Sequence, residues 1–244
     1  MTIYRAKDYE HMSKIAANIL AAQIILKPDS CLGLATGGSP VGTYKKLIEK
    51  YKNGDLDFSG VTAINLDEYC GFGPDNDQSY HYFMRENLFN HININLENTH
   101  IPNGLNKDAV NECKRYDEII ERNPIDVQLL GINPINGHIG FNEPAEHFTL
   151  KANHSILSEA TVEANKRYFE KEDDVPKTAY TMGIGQIMSA EKVLLIASGD
   201  NKADIMFKAL LGPITPMVPA SILQMHKNLT VVADEAALAR IPLC

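Results

Sequence analysis

What most constrains this chain is a repeating alternation. Short apolar runs, each closed by a polar loop rich in Gly, Asn or Asp, are separated by stretches with helical periodicity. Over residues 9–25, Met12, Ile15, Ala16, Ile19 and Leu20 recur at the spacing of one helix face. The run Cys31-Leu32-Gly33-Leu34-Ala35 follows, bounded by Asp29-Ser30 and Thr36-Gly37-Gly38, as a buried strand is. Residues 41–52 are helical again, with Ser39 suited to the N-cap and Pro40 to the first helical position. Further strands are expected over 61–66, 127–131, 192–197 and 229–233, and helices over 79–90, 107–122, 184–189 and 203–211. Such alternation makes βαβ units, so the expected class is α/β, a mostly parallel sheet flanked by helices. The chain has 244 residues and carries no internal repeat, low-complexity tract or linker, so one domain over 1–244 is expected. The charged segment 170–174, followed by Pro176, reads as a surface loop or lid.

Charge narrows the partners. The formal net charge is -8 and Lys and Arg form no run, so neither nucleic acid nor an anionic membrane is an expected partner. An anionic substrate would need a few fixed cations to overcome that repulsion locally. The N-terminus has no signal-length apolar core, and no stretch approaches the roughly 20 apolar residues that span a bilayer. Cys31, Cys70, Cys113 and Cys244 are widely spaced and form no Cys-x-x-Cys pair, which fits free thiols in a reducing cytoplasm.

In open parallel sheets, ligands bind at the carboxyl ends of the strands, and three polar loops fall there. The first, Thr36-Gly37-Gly38-Ser39, lets backbone amides approach a ligand at a helix N-terminus, which favours an anion such as phosphate. It has neither the P-loop ending nor the dinucleotide fingerprint, and a plain strand-to-helix turn would read the same way. The second is Asn65-Leu66-Asp67-Glu68-Tyr69. Adjacent acids at a strand end point in different directions, so one can face a cleft as a general base while the other braces the loop. A helix cap or a surface pair remains open on these residues alone. The third runs from Gly131 through Asn136-Gly137-His138-Ile139-Gly140-Phe141-Asn142-Glu143-Pro144. His138 sits between glycines, suited to proton relay, with Glu143 near enough in sequence to orient its imidazole. The histidines His81, His91, His154 and His226 lack such a setting and read as structural or surface residues. The chain has no Gly-x-Ser-x-Gly elbow and no His-Glu-x-x-His helix.

Together these loops closely resemble the glucosamine-6-phosphate deaminase (isomerase) family. The matching segments are Gly33 to Pro40, Asn65 to Tyr69, Asn136 to Pro144, Ala164-Asn165-Lys166-Arg167-Tyr168-Phe169, Val175-Pro176-Lys177 and Thr181-Met182-Gly183. The likeness runs in order along nearly the whole chain. It implies a modified doubly wound α/β fold and conversion of glucosamine 6-phosphate and water into fructose 6-phosphate and ammonium. It also implies that no metal or organic cofactor is needed. By that resemblance Asp67 is the base that moves a proton between C2 and C1. His138 opens the pyranose ring, supported by Glu143 and completed by Asn136. The phosphate lies on Thr36, Gly37, Gly38 and Ser39, with Arg167 and Lys202 as basic partners.

Two features depart from the family pattern. The loop from Gly131 to His138 is one residue longer and lacks a second glycine. One residue of extended chain spans about 3.3 Å, enough to displace His138. The chain also ends at Cys244, without the C-terminal extension of longer, allosteric hexameric members, so a monomer or small homo-oligomer without strong effector control is expected. Two other readings share the fold: a 6-phosphogluconolactonase, with similar Thr-Gly-Gly and Gly-His loops, and a sugar-phosphate sensor without catalysis. Asp67-Glu68-Tyr69 and Phe141-Asn142-Glu143-Pro144 favour the deaminase over the lactonase, and the presence of Asp67 and His138 tells against the sensor.

Overall fold

The computed structural model describes residues 1–166, 169 and 174–242. Its centre is a seven-stranded sheet of β1 (Thr2–Ala6), β2 (Cys31–Leu34), β3 (Thr62–Asn65), β5 (Thr99–His100), β6 (Val127–Leu130), β9 (Lys192–Ala197) and β10 (Leu229–Asp234). The strand order is β1-β10-β9-β6-β2-β3-β5, and every pair in it is parallel. A smaller antiparallel sheet joins β4 (Asp67–Tyr69), β8 (Thr178–Thr181) and β7 (Asn153–Ile156), in that order. The expected α/β class with a mostly parallel, helix-flanked sheet is the observed one.

Seven α-helices are seen among the described residues: α1 (Tyr9–Leu26), α2 (Val41–Lys52), α3 (Tyr80–Asn87), α4 (Ala109–Arg122), α5 (Glu159–Asn165), α6 (Ile184–Ser189) and α7 (Ala203–Leu211). They cover both faces of the large sheet because the side chains of each strand alternate. Leu194 and Ile196 of β9 pack in one core with Met12, Ala16 and Leu20 of α1 and Tyr44 and Leu47 of α2. Val193, Leu195 and Ala197 point the other way, into a core with Tyr116 of α4, Ile187 of α6 and Met206 of α7. Each such buried aliphatic side chain contributes about 1.5–3 kcal/mol. Local signals set the helix ends. Asp8 caps α1 by accepting from His11 N at 2.8 Å, and the helix stops just before Lys27-Pro28. Ser79 and Asp108 cap α3 and α4 in the same way.

Topology fixes where a ligand can bind. From β2 the chain runs outward to β3 and β5, then returns to the opposite side of β2 as β6 and continues to β9 and β10. The switch point lies between β2 and β6, and a crevice opens there at their carboxyl ends. A Cβ on Gly131, after β6, would lie 3.7 Å from the side chain of Ser39, after β2.

The structure corrects three expectations. Ser39 is not the N-cap of α2: Pro40 holds that position, without a side-chain cap bond, and the helix begins at Val41. Ser39 therefore stays in the turn. Residues 67–73 are not simply a loop, since Asp67–Tyr69 pairs with β8 as β4. The chain passes from β3 to β4 across Leu66, whose amide donates to Leu34 O and whose carbonyl accepts from Met182 N, so it leaves one sheet and enters the other without a loop. Finally, β1, β5, β7, β8 and α5 have no counterpart among the elements expected from sequence. Most of the expected lid over 170–174 lies outside the described residues.

Candidate active site

All three polar loops converge on one cavity of about 470 Å³ at the switch point. Its wall includes Thr36, Gly37, Gly38 and Ser39 after β2, Asp67 on β4, His138 and Gly140 after β6, Tyr80 of α3, and Lys202.

On the first wall, Gly37 has φ +85, a conformation that glycine adopts without strain, and it turns the chain between β2 and α2. Among the described residues no backbone acceptor bonds the amides of Gly37, Gly38 or Ser39. These donors lie beside the positive end of α2, a setting that favours an anion. Lys202 adds a cation from the short 3-10 turn after β9, its Nζ donating to Ile132 O. Asp234 shapes that turn: its carboxylate accepts from Ser198 Oγ, Gly199 N and Ala237 N. Arg167, the other expected basic partner, lies outside the described residues.

On the second wall the two acids separate as strand geometry requires. Glu68 is fully buried and turned toward α3, where it accepts from the amides of Tyr69, Tyr80 and His81 and pairs with His81 Nδ1, all at 2.9–3.0 Å. It thereby satisfies free amides at the start of α3. Asp67 faces the cavity and is only 5% exposed. Burial, followed by the neighbouring charge of Glu68, pushes its carboxyl well above the usual range. Such a group is a stronger base once ionised. Gly140, at φ +60, closes over this carboxylate: a Cβ there would lie 3.5 Å from Asp67 Oδ2 and 2.8 Å from Thr181 Oγ1.

The third wall carries a compact hydrogen-bonded group. Asn136 Nδ2 donates to Glu143 Oε2 at 2.7 Å, and His138 Nδ1 lies 3.4 Å from Glu143 Oε1. Ser158 N and Thr161, at the start of α5, complete the carboxylate's surroundings. Burial raises the Glu143 carboxyl, but the hydrogen bond and charge of His138, with Thr161 and Ser158, outweigh it and bring the pKa down to about 2. With Nδ1 engaged by a carboxylate, Nε2 is the ring nitrogen available to a ligand. The extra residue of this loop is taken up in a turn held by Asn133. Its Oδ1 accepts from Ile135 N and Asn136 N, its carbonyl from Gly137 N, and its amide donates to His138 O. Ile135 projects outward, 54% exposed, while Asn136, His138 and Glu143 stay together.

Sequence reasoning missed an aromatic floor beneath this group. Tyr80 stacks on Phe141 at 6.0 Å and meets Tyr69 at 4.8 Å. Tyr69 ends the Asp-Glu-Tyr motif and Tyr80 follows it closely, but nothing in their spacing marks them as cavity residues. Of the other histidines, His81 braces Glu68 and His226 is buried against Ala190 O, both structural settings.

A parallel-sheet crevice lined by a buried carboxylate, an imidazole beside a second carboxylate and a turn of backbone amides has the groups for proton transfer on a small anionic molecule. The family model for glucosamine-6-phosphate isomerases/6-phosphogluconolactonase matches residues 8–232, and the chain belongs to that family. It is 57% identical to a glucosamine-6-phosphate deaminase of Lachnoclostridium phytofermentans over 95% of this chain and 98% of that protein. It is 52% identical to one from Clostridioides difficile, over 99% and 97%. A solved structure described as a monomeric glucosamine-6-phosphate deaminase superposes with a TM-score of 0.95 at 44% identity, covering 98% of this chain and 99% of that one.

Proposed function

We propose that this chain is a glucosamine-6-phosphate deaminase, converting glucosamine 6-phosphate and water into fructose 6-phosphate and ammonium. The observation that carries the reading is the cavity lined together by Asp67, by His138, which Glu143 and Asn136 support, and by the glycine turn from Thr36 to Ser39. High identity over full length to proteins of that activity supports it.

Each group then has a distinct role. The phosphate binds the amides and hydroxyls of Thr36, Gly37, Gly38 and Ser39, with Lys202 and Arg167 as its cations. Binding energy gathered there, away from the reacting carbons, holds the sugar in place. His138 takes the proton from the anomeric hydroxyl through Nε2 and returns one to the ring oxygen, opening the ring. Glu143, held by Asn136, stabilises the imidazolium that forms between these transfers. Ionised Asp67 then removes the proton from C2 and delivers it to C1, while a proton of the C2 ammonium passes to the C1 oxygen, so that C1 becomes a hydroxymethyl group and the C2 ammonium an iminium. Water adds at C2, and the C–N bond breaks to release ammonia, which leaves as ammonium. These steps need no metal or organic cofactor. Low polarity around Asp67 favours the transfer, since a buried carboxylate gains from accepting a proton.

We further propose that the chain is one catalytic domain acting in the cytoplasm as a monomer, with no nucleic-acid or membrane partner. The structural relative described as monomeric supports the assembly state. Among the described residues no helix is long and apolar enough to cross a membrane, and Cys31, Cys70 and Cys113 are free thiols. Purified protein given glucosamine 6-phosphate is expected to release ammonium and fructose 6-phosphate in equal amounts. Hydrolysis of 6-phosphogluconolactone without ammonium release would establish the lactonase reading instead, and tight sugar-phosphate binding without turnover would establish the sensor.

A further inference from the structure

One residue outside the cavity ties the anion turn to the first turn of α2. Tyr9, the first residue of α1, donates its hydroxyl hydrogen to Gly38 O at 3.0 Å and accepts from Gly42 N at 2.8 Å. A neutral phenol can do both at once. The contact depends on a missing side chain: a Cβ on Gly42 would meet Tyr9 Cε1 at 2.9 Å and Ser13 Oγ at 2.3 Å. Gly42 therefore lets α1 press against the start of α2. Gly42 N is also one of the amides that a helix N-terminus leaves unsatisfied, and α2 has no side-chain cap of its own.

We propose that Tyr9 is a positioning residue that aims the amides of the anion turn at the substrate's phosphate. The effect passes through one peptide plane. In a trans peptide the carbonyl of Gly38 and the N–H of Ser39 point in opposite directions. Ser39 and Gly38 line the cavity, whereas Tyr9 does not. By holding the Gly38 carbonyl on the α1 side, the Tyr9 hydroxyl directs the Ser39 N–H to the cavity side. By accepting from Gly42 N, the same hydroxyl is itself anchored to the start of α2, so the peptide cannot flip without breaking its bond to a fixed partner. A flipped peptide would present a carbonyl oxygen to the phosphate and turn an attractive contact into a repulsive one.

The proposal rests on the phosphate lying on this turn, and the test separates the two. Tyr9→Phe keeps the ring and removes the hydroxyl. Its affinity for inorganic phosphate is measured by calorimetry beside that of the parent and of Lys202→Ala, together with KM and kcat for glucosamine 6-phosphate. Thermal unfolding without phosphate checks that the variant is folded. Tyr9→Phe is expected to weaken phosphate binding and raise KM in parallel, roughly three- to tenfold, with kcat within about twofold of the parent, the scale of one or two neutral hydrogen bonds. If Lys202→Ala weakens phosphate binding and Tyr9→Phe does not, the role of Tyr9 is overturned while the phosphate site stands. If neither variant changes it, the phosphate lies elsewhere and both readings fall. A loss in kcat or melting temperature with unchanged phosphate affinity would make Tyr9 a brace of the fold alone and overturn the proposal.

Discussion

Asn136 and Glu143 are joined across seven positions of one loop, the Asn136 amide donating to Glu143 Oε2 at 2.7 Å. That bond leaves Oε1 for His138 and Ser158 N. The two carboxylate oxygens thus divide the work, Oε2 tying the loop shut while Oε1 faces the imidazole. Ser158 caps α5, so Glu143 links the loop after β6 to that helix.

Removing that charge has a pH signature. The Glu143 carboxyl is held at about 2 in the folded protein against 4.5 ordinarily, so the folded state binds fewer protons than the unfolded one between these values. The carboxylate's stabilisation is full above about 4.5 and disappears as pH falls toward about 2. Glu143→Gln should cost roughly 2–3 kcal/mol at neutral pH. The gap between parent and variant, read from denaturant melts at a series of pH values, should narrow below pH 4.5. A gap that stays constant with pH would mean that the charge is not what stabilises.

Asp67 has the opposite sign. Burial and Glu68 raise its carboxyl, so the folded state holds the proton more tightly than the unfolded chain. Stability therefore falls as pH rises from the ordinary carboxylate range through the raised value, and then levels off. Asp67→Asn should melt higher than the parent at neutral pH, because its neutral amide neither buries a charge nor has to take up a proton on folding. Turnover should drop roughly 100-fold or more while substrate affinity is kept. The acid limb of the parental pH–rate profile should lie above the usual Asp range. A variant with near-parental turnover, or one that melts lower, would remove Asp67 as the buried base.

The phosphate contacts should separate from the chemistry. Lys202→Ala and Arg167→Ala are each expected to weaken substrate binding by about 1.5–3 kcal/mol, the scale of a charged hydrogen bond, and to change kcat less. Michaelis constants for glucosamine 6-phosphate measured on both variants check this. Unchanged values in both would rule out a phosphate role for these residues.

The inner strands of the main sheet are legible in sequence because they are buried on both faces, whereas its partly exposed edge strands, β1 and β5, are not. Runs such as residues 192–197 carry enough apolar residues to stand out, and their expected bounds match β9. The small sheet is not. β7 reads Asn-His-Ser-Ile and β8 Thr-Ala-Tyr-Thr, short strands in which an edge position or a polar contact replaces apolar alternation. Asp67–Tyr69 reads as part of a loop because its two acids hide a strand, and only pairing with Thr181 and Tyr180 makes it one. The site residues are legible as motifs, since Gly, His and carboxylates cluster at strand ends. The residues that hold them are not. Asp234 and Tyr9 act from distant parts of the chain through a few side-chain hydrogen bonds, and no local pattern announces such contacts.

The lengthened loop before His138 makes its own prediction. An added residue of extended chain would carry His138 about 3.3 Å away. Instead the loop folds back on Asn133, which bonds Ile135 N, Asn136 N, Gly137 N and His138 O. The side chain accounts for the first two of these bonds, so Asn133→Ala removes them and leaves the two backbone bonds. Asn136 should then lose its fixed approach to Glu143, and His138 its orientation. Phosphate contacts and Asp67 are untouched, so the Michaelis constant should move little while kcat falls, by about 3- to 30-fold for two lost hydrogen bonds. His138→Gln should fall further, since it removes the ring-opening group itself, and should flatten the part of the pH–rate profile that the imidazole governs. If Asn133 acts only through His138, the two losses will not add: the double variant should be no slower than His138→Gln alone. Ile135→Ala, which alters only the exposed tip of the turn, should match the parent. Additive losses in the double variant would show that Asn133 affects catalysis by another route. A His138→Gln enzyme with the parental rate and pH profile would show that this imidazole does not open the ring.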